Sequence, residues 1–240
     1  MLIATRGIVL HKIKYGEQGL IVSMFTREIG SQSFIVKNAF SKKNKINYTR
    51  LGNLALLDIR FNYTGSDLAF LKEIHLLHPF TRLHIDPVRQ SLLLFYNELL
   101  YKTLFHYGED TVLYDFVENS IKDLDCLPVI SPDIHLRFMV RLSCYMGFMP
   151  KNNYTVKDSH FFLREGIFQP YYYDTGEFLS ALASKYLHAL AHGDMPAPVP
   201  SKAIREELLQ GLLTYFILHH EGIHKIVSAD ILTKIWHEHP

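Results

Sequence analysis

Only two of the 240 residues are cysteine, Cys126 and Cys144. Both sit in ordinary apolar surroundings. That excludes a disulfide framework, suits a reducing compartment, and leads us to expect both thiols in the core. No run of about 18 apolar residues occurs, so no helix is expected to cross a membrane. The first residues, MLIATRGIVLHKIKYG, are interrupted by Arg6, Lys12 and Lys14 and lack the apolar block of a secretion signal. A cytoplasmic protein is therefore expected. Several enzyme signatures are missing as well: no nucleotide-binding glycine fingerprint, no phosphate loop, no HExxH and no GxSxG. Repeats and low-complexity tracts are also absent.

What remains is a chain with 48% hydrophobic residues, enough to bury a real core. Its net charge of +1 hides an asymmetry. Residues 1–80 hold 11 basic and 5 acidic side chains, whereas residues 81–240 hold 14 and 19. A basic first third and an acidic remainder suggest two parts, 1–80 and 81–240, with different partners.

Hydropathy changes period near residue 80. Before it, GIVLHKIKY (7–15), GLIVSMFT (19–26), SQSFIVKNAF (31–40), NLALLDIRFNY (53–63) and DLAFLKEIHLL (67–77) alternate with a period of two and predict five strands. YGEQG, REIGS and TGSD mark turns between them. Five strands with the longest connection between the third and fourth suit a small closed barrel of the oligonucleotide-binding (OB) type. After residue 80 the periodicity is helical. Asp86 before Pro87 starts one helix, 109–124 reads as a second, and Ser131-Pro132 opens a third that ends near Gly147 and Pro150. Asp174 and Glu177 have capping-box spacing before a fourth, Ser201 opens a fifth after a proline-rich connector, and Ser228 opens a short last one. Within the irregular segment 151–173, HFFLREGIFQPYYY has the pattern of a small hairpin. The fold class is thus α+β: a five-stranded OB barrel, then an all-helical part with a small cysteine-free insertion.

The third connection, SFIVKNAFSKKNKINYTR (33–50), carries Lys37, Lys42, Lys43, Lys45 and Arg50 with no acidic residue, and Phe40 and Tyr48 stand between the charges. A lysine run is most often a solvated surface. Here it belongs to an OB barrel, a fold that binds single strands in a groove, and Arg6, Lys12, Lys14 and Arg27 lie in the same barrel. Interleaved aromatics offer stacking faces to bases of any identity, and lysines meet phosphates without reading sequence. Sequence-independent nucleic-acid binding is expected. The 14 histidines carry a weaker signal. His188 and His192, and His220 and His224, have the spacing of two ligands on one helix face. No acidic or cysteine partner accompanies them, so polar helix faces and helix C-termini are the expected roles. The group HLLHPFTRLH (75–84) is read as interfacial. A histidine-dependent metalloenzyme and an OB scaffold that binds only protein remain as alternatives.

TRGIVLHKIKYGEQGLIVSMFTREIG followed by the basic K-x-x-x-S-K-K loop resembles the N-terminal domain of the RecO DNA repair family. Tyr15-Gly16-Glu17 and Phe25-Thr26-Arg27-Glu28-Ile29-Gly30 stand at the family's YGE-like turn and its FTRE-x-G motif. Further on, SLLLFYNELLYKTL and LRFMVRLSCYMGFMP are similar to its first helical segment and its L-x-x-F-x-x-x-L-L-x-x-x-G-F-x-P helix. The resemblance implies a protein that is not an enzyme. Such a protein binds single- and double-stranded DNA, anneals complementary strands, and works with RecR, and in many cases RecF, to help RecA replace single-stranded DNA-binding protein (SSB). It also implies a contact with the acidic SSB tail, for which Arg137 and Arg141 are the obvious cations, with Phe138 and Leu142 as apolar walls; a plain surface stripe on an amphipathic helix is the other reading of the two arginines. Many members carry a four-cysteine zinc module after this helix. Residues 151–175 here contain no cysteine, so no zinc or other cofactor is expected. Phe161, Phe162, Phe168 and Tyr171 to Tyr173 would hold the segment instead.

Overall fold

The computed structural model describes residues 1–41, 46, 48–63, 65, 66, 68–171, 177–193 and 199–238. The N-terminal strands are β1 (Leu2–Tyr15), β2 (Gly19–Thr26), β3 (Gly30–Val36), β4 (Leu56–Asn62) and β5 (Leu68–Leu76), closed into a barrel in the order β1-β2-β3-β5-β4. The expected five-stranded barrel is present. Closure depends on β1, which is longer than its alternation suggested. Residues 2–8 pair with β4 and residues 7–15 pair with β2. An irregularity between Val9 and His11 bends the strand where it passes from one partner to the other. The parallel pairing of β3 with β5, Ser33 opposite Leu68 through Ile35 opposite Phe70, completes the ring. Val22, Met24, Phe34, Leu57, Ile59 and Phe61 fill the interior.

The helices are α1 (Pro87–Thr103), α2 (Thr111–Cys126), α3 (Ile134–Tyr145), α4 (Ala181–His192), α5 (Lys202–His219) and α6 (Ser228–Glu238). Their starts follow local chemistry. Asp86 accepts from the amides of Val88 at 2.9 Å and Arg89 at 3.3 Å, and Asp110 does the same for Val112 and Leu113 at 3.1 and 2.9 Å. The chain forms two compact units. One is Met1–Leu127 with Ser228–Pro240, holding the barrel, α1, α2 and α6; the other is Pro128–Val227.

Within the second unit, β6 (His160–Phe162) and β7 (Ile167–Gln169) make the expected hairpin. Phe161 and Phe168 are buried with ring centroids 5.0 Å apart, and Phe161 meets Tyr215 at 5.3 Å. Asn153 closes on the backbone of Phe168 from both sides, at 2.8 and 3.0 Å. Phe162 is buried too, whereas Tyr171 is exposed and Tyr172 and Tyr173 lie outside the described residues.

Two expectations need correction. The start of α4 is not set by Asp174 and Glu177. Asp174 lies outside the described residues, and residues 177–179 run beside β6 through a bridge between Phe162 and Phe178. Extended backbone there delays the helix to its true cap, Ser180, whose hydroxyl accepts from Ala183 at 3.2 Å and donates to Glu207 at 2.9 Å. The cysteines are not core residues either. Cys126 ends α2 and Cys144 lies off the buried stripe of α3, and both are exposed.

His135 on α3 is buried, and that burial pushes its imidazole down to about 4, against the pull of Asp133. An unfolded histidine titrates near about 6.5. Between these values the unfolded chain takes up a proton that the folded one refuses. The stabilisation is therefore complete above about pH 6.5 and is lost as pH falls toward the folded value. By about pH 4.5 the loss should reach about 2–3 kcal/mol. Urea midpoints of the wild type and His135→Gln, measured across this window, should diverge in slope. Parallel curves would remove His135 from the account.

Candidate nucleic-acid interface

The β2–β3 hairpin has two ends, and the basic residues divide between them. At one end Lys37 follows β3. Lys14 stands beside it in the row Lys14–Leu20–Val36, beyond the point where β1 leaves β4. This is a barrel mouth. Lys12 closes part of it by donating to the carbonyl of Leu51 at 2.9 Å, just after the 3-10 turn Tyr48–Arg50. Phe40 and Tyr48 are 45% and 40% exposed, large fractions for aromatic rings. They meet edge to face with centroids 5.1 Å apart. Arg50 is exposed beside them. Lys42, Lys43 and Lys45 belong to the same connection and lie outside the described residues.

Outside the barrel, residues Ile13, Ile21, Ile35 and Phe70 form one continuous cross-strand row. Ile13 and Phe70 are exposed, and the Lys37 ammonium sits 4.4 Å from the centre of the Phe70 ring. Sequence reasoning missed Phe70. The available signal was the phase of LAFLKE: Ala69 and Leu71 face inward, so Leu68 and Phe70 are apolar residues on the outer face.

Arg6 and Arg27 do not join this surface. Arg27 follows β2 at the other end of the hairpin, about seven strand residues from Lys37, or roughly 20 Å. Both guanidiniums are engaged by α2. Arg27 forks onto Asp115 at 2.8 Å through both Nε and Nη2. Arg6 meets Glu118 at 3.0 and 3.2 Å, and its guanidinium carbon lies 5.6 Å from the Tyr114 ring centre. The hydrogen bond from Arg27 is the main influence holding the Asp115 carboxyl below the usual carboxylate range, and that bond in turn raises the Arg27 guanidinium. Two carboxylates already occupy the geometry a phosphate would need, so these arginines join the barrel to α2.

In the second unit, Arg137 pairs with buried Asp133 at 2.7 Å, and Arg141 is exposed one turn later. Phe138 and Leu142 are 4% and 0% exposed, which makes them core residues and not walls of an open groove. The histidines of the first pair hold the chain just before the hairpin. His188 and His192 contact Asn152 Oδ1 at 2.8 Å and the Pro150 carbonyl at 2.7 Å. His220 caps α5, so His220 and His224 do not share a helix.

Residues 1–80 match the family model described as Recombination protein O N terminal, and residues 84–226 match Recombination protein O C terminal. This chain belongs to the RecO family. A DNA repair protein RecO from Christiangramia forsetii is 30% identical over 246 residues, covering 98% of this chain and 100% of its own. One from Porphyromonas gingivalis is 31% identical over 249 residues with the same coverage, and one from Flavobacterium johnsoniae is 30% identical over 242. The family motifs acquire physical roles here. In YGE, Gly16 has φ 62° at the β1–β2 turn; in FTRE-x-G, Gly30 has φ 82° at the start of β3. No helix among the described residues of this RecO chain is long and apolar enough to cross a membrane.

Proposed function

We propose that the protein is a recombination mediator that makes and breaks no covalent bond. It binds single- and double-stranded DNA without sequence specificity at the barrel mouth and anneals complementary strands. With RecR, and with RecF where that partner is used, it helps RecA load onto SSB-coated DNA in the cytoplasm, at the nucleoid. The observation that carries this reading is the exposed Phe40–Tyr48 pair, in a connection whose sequence also holds Lys37, Lys42, Lys43, Lys45 and Arg50. Stacking there accepts any base, and charge neutralisation is what two approaching polyanions need. Residues 1–80 hold the DNA and residues 81–240 hold protein partners, because the acidic excess of the latter repels phosphates. The anionic SSB tail meets the Arg137–Arg141 face of α3.

Annealing of complementary oligonucleotides, bare and SSB-coated, with and without RecR, tests this proposal. Acceleration on bare strands should fall steeply with salt, and RecR should extend it to coated strands. DNA binding that is absent or indifferent to salt would favour the scaffold reading, in which the barrel holds only protein.

A further inference from the structure

We propose that His78, Asp125 and Cys126 bind one zinc-class divalent cation where the connection after β5 meets the C-terminal end of α2. The donor set is an imidazole nitrogen, a carboxylate oxygen and a thiol sulfur, and the three atoms all lie within 4.8 Å of one another. His78 Nε2 is 3.2 Å from Asp125 Oδ2 and 4.0 Å from Cys126 Sγ. Tetrahedral zinc, with bonds of about 2.0–2.1 Å to nitrogen or oxygen and about 2.3 Å to sulfur, separates such ligands by about 3.4 and 3.6 Å. The two distances from His78 are within a few tenths of an ångström of those values, and the carboxylate and thiol, no more than 4.8 Å apart, close the rest on the ion.

The carboxylate is already aimed. Asp125 is buried, and its Oδ1 accepts the amides of Arg82 and Leu83 at 2.9 Å and of Thr81 at 3.0 Å. These contacts fix the group and turn Oδ2 toward His78, as outer partners orient metal ligands elsewhere. Behind it, Thr81 approaches Oδ2 through its amide at 3.2 Å and its hydroxyl at 3.4 Å. One thiolate and one carboxylate neutralise a divalent ion, so no net charge is left in a half-buried place. Cys126 is exposed and the His78 side chain is 24% exposed, which gives the ion a way in. Three protein ligands leave a fourth tetrahedral position for water. The ion would tie the connection between β5 and α1 to α2 within the first unit. The expectation of no metal rested on the missing cysteine quartet of residues 151–175. It did not weigh a trio split between positions 78 and 125–126.

Cobalt(II) is the probe, added to the full-length protein under reducing conditions and read by its thiolate charge-transfer absorption. Zinc affinity follows from competition with a chromophoric chelator. The wild type should show the absorption saturating at one equivalent. Cys126→Ser should abolish it and weaken zinc by about 100-fold or more, since loss of an outer partner alone costs 10–100-fold. Being exposed, Cys126 can be changed without disturbing the core. His78→Gln should weaken cobalt while keeping the thiolate absorption at higher concentration, whereas Cys144→Ser, at the other exposed thiol, should change nothing. No charge-transfer absorption in the wild type at millimolar cobalt would overturn the site. So would absorption that survives in Cys126→Ser or disappears in Cys144→Ser.

Discussion

Replacing Lys42, Lys43 and Lys45 together with alanine should lower single-strand affinity by about 100-fold near 0.1 M salt and by very little near 1 M. The reasoning is ionic. Each phosphate neutralised on a single strand releases condensed counterions and contributes about 0.7 to the slope of log K against log salt. Three lost contacts therefore flatten the slope by about 2. The Phe40–Tyr48 pair, Lys37 and Arg50 would remain, so the binding left over should rest more on stacking and keep a shallower salt dependence. Arg6→Ala with Arg27→Ala is the informative control. Those side chains pair with Asp115 and Glu118, so their loss should lower the melting temperature and leave the salt slope unchanged. Fluorescence titrations of a labelled oligonucleotide from 0.05 to 1 M salt decide between the two. An unchanged slope in the lysine variant, or a flattened one in the arginine variant, would move the DNA to the other end of the hairpin.

Gly30→Ala should be among the most damaging single changes in the first unit, at about 3–5 kcal/mol. A Cβ at this position would stand 2.4 Å from the backbone of Gly108 and 2.5 Å from the Tyr107 carbonyl. Both obstacles are backbone, so neither can rotate aside. The φ of 82° adds its own cost, about 1–3 kcal/mol for a non-glycine residue. Relieving the clash would pull β3 from the α1–α2 connection and break the bond from the Ser31 amide to Tyr107, now 2.8 Å. Gly16→Ala isolates one of the two effects, because nothing lies within 4 Å of a Cβ there and only the left-handed backbone counts. Its cost should stay near 1 kcal/mol. With roughly 2–4 °C per kcal/mol for a chain of this size, calorimetry should place the two variants about 10 °C apart. Equal melting temperatures would mean that the Gly30 contact yields easily.

These outcomes follow the line between what was legible in the sequence and what was not. The barrel, the hairpin at 160–169 and the caps Asp86 and Ser201 are written in neighbours: alternation, turn residues, a side chain accepting from an amide two or three positions on. Arg6 and Arg27 looked like free charge because their carboxylates lie on α2, 88 to 112 residues away. Cys126 looked like core because Leu124 and Leu127 flank it, yet it ends its helix on the outer side. Phe138 and Leu142 looked like walls of a groove because α3 is amphipathic, but an apolar stripe does not reveal whether another helix already covers it. Phe70 was hidden by the opposite error, since a strand with apolar residues in both phases reads as wholly buried.

The last helix carries a consequence for how the protein is made. The Ser228 amide and hydroxyl close on Glu98 of α1 at 2.7 and 2.6 Å, across 130 residues of sequence. During synthesis, the 130 residues from Glu98 to Ser228, all of Pro128–Val227 among them, must be made before α1 meets α6, a wait of roughly 7 to 26 s at 5–20 residues per second. Until then the nascent barrel unit lacks one of its own helices. A stop codon that removes α6 would therefore be felt in the unit built from the opposite end of the message, as slower maturation and greater exposure to proteases of residues translated long before it.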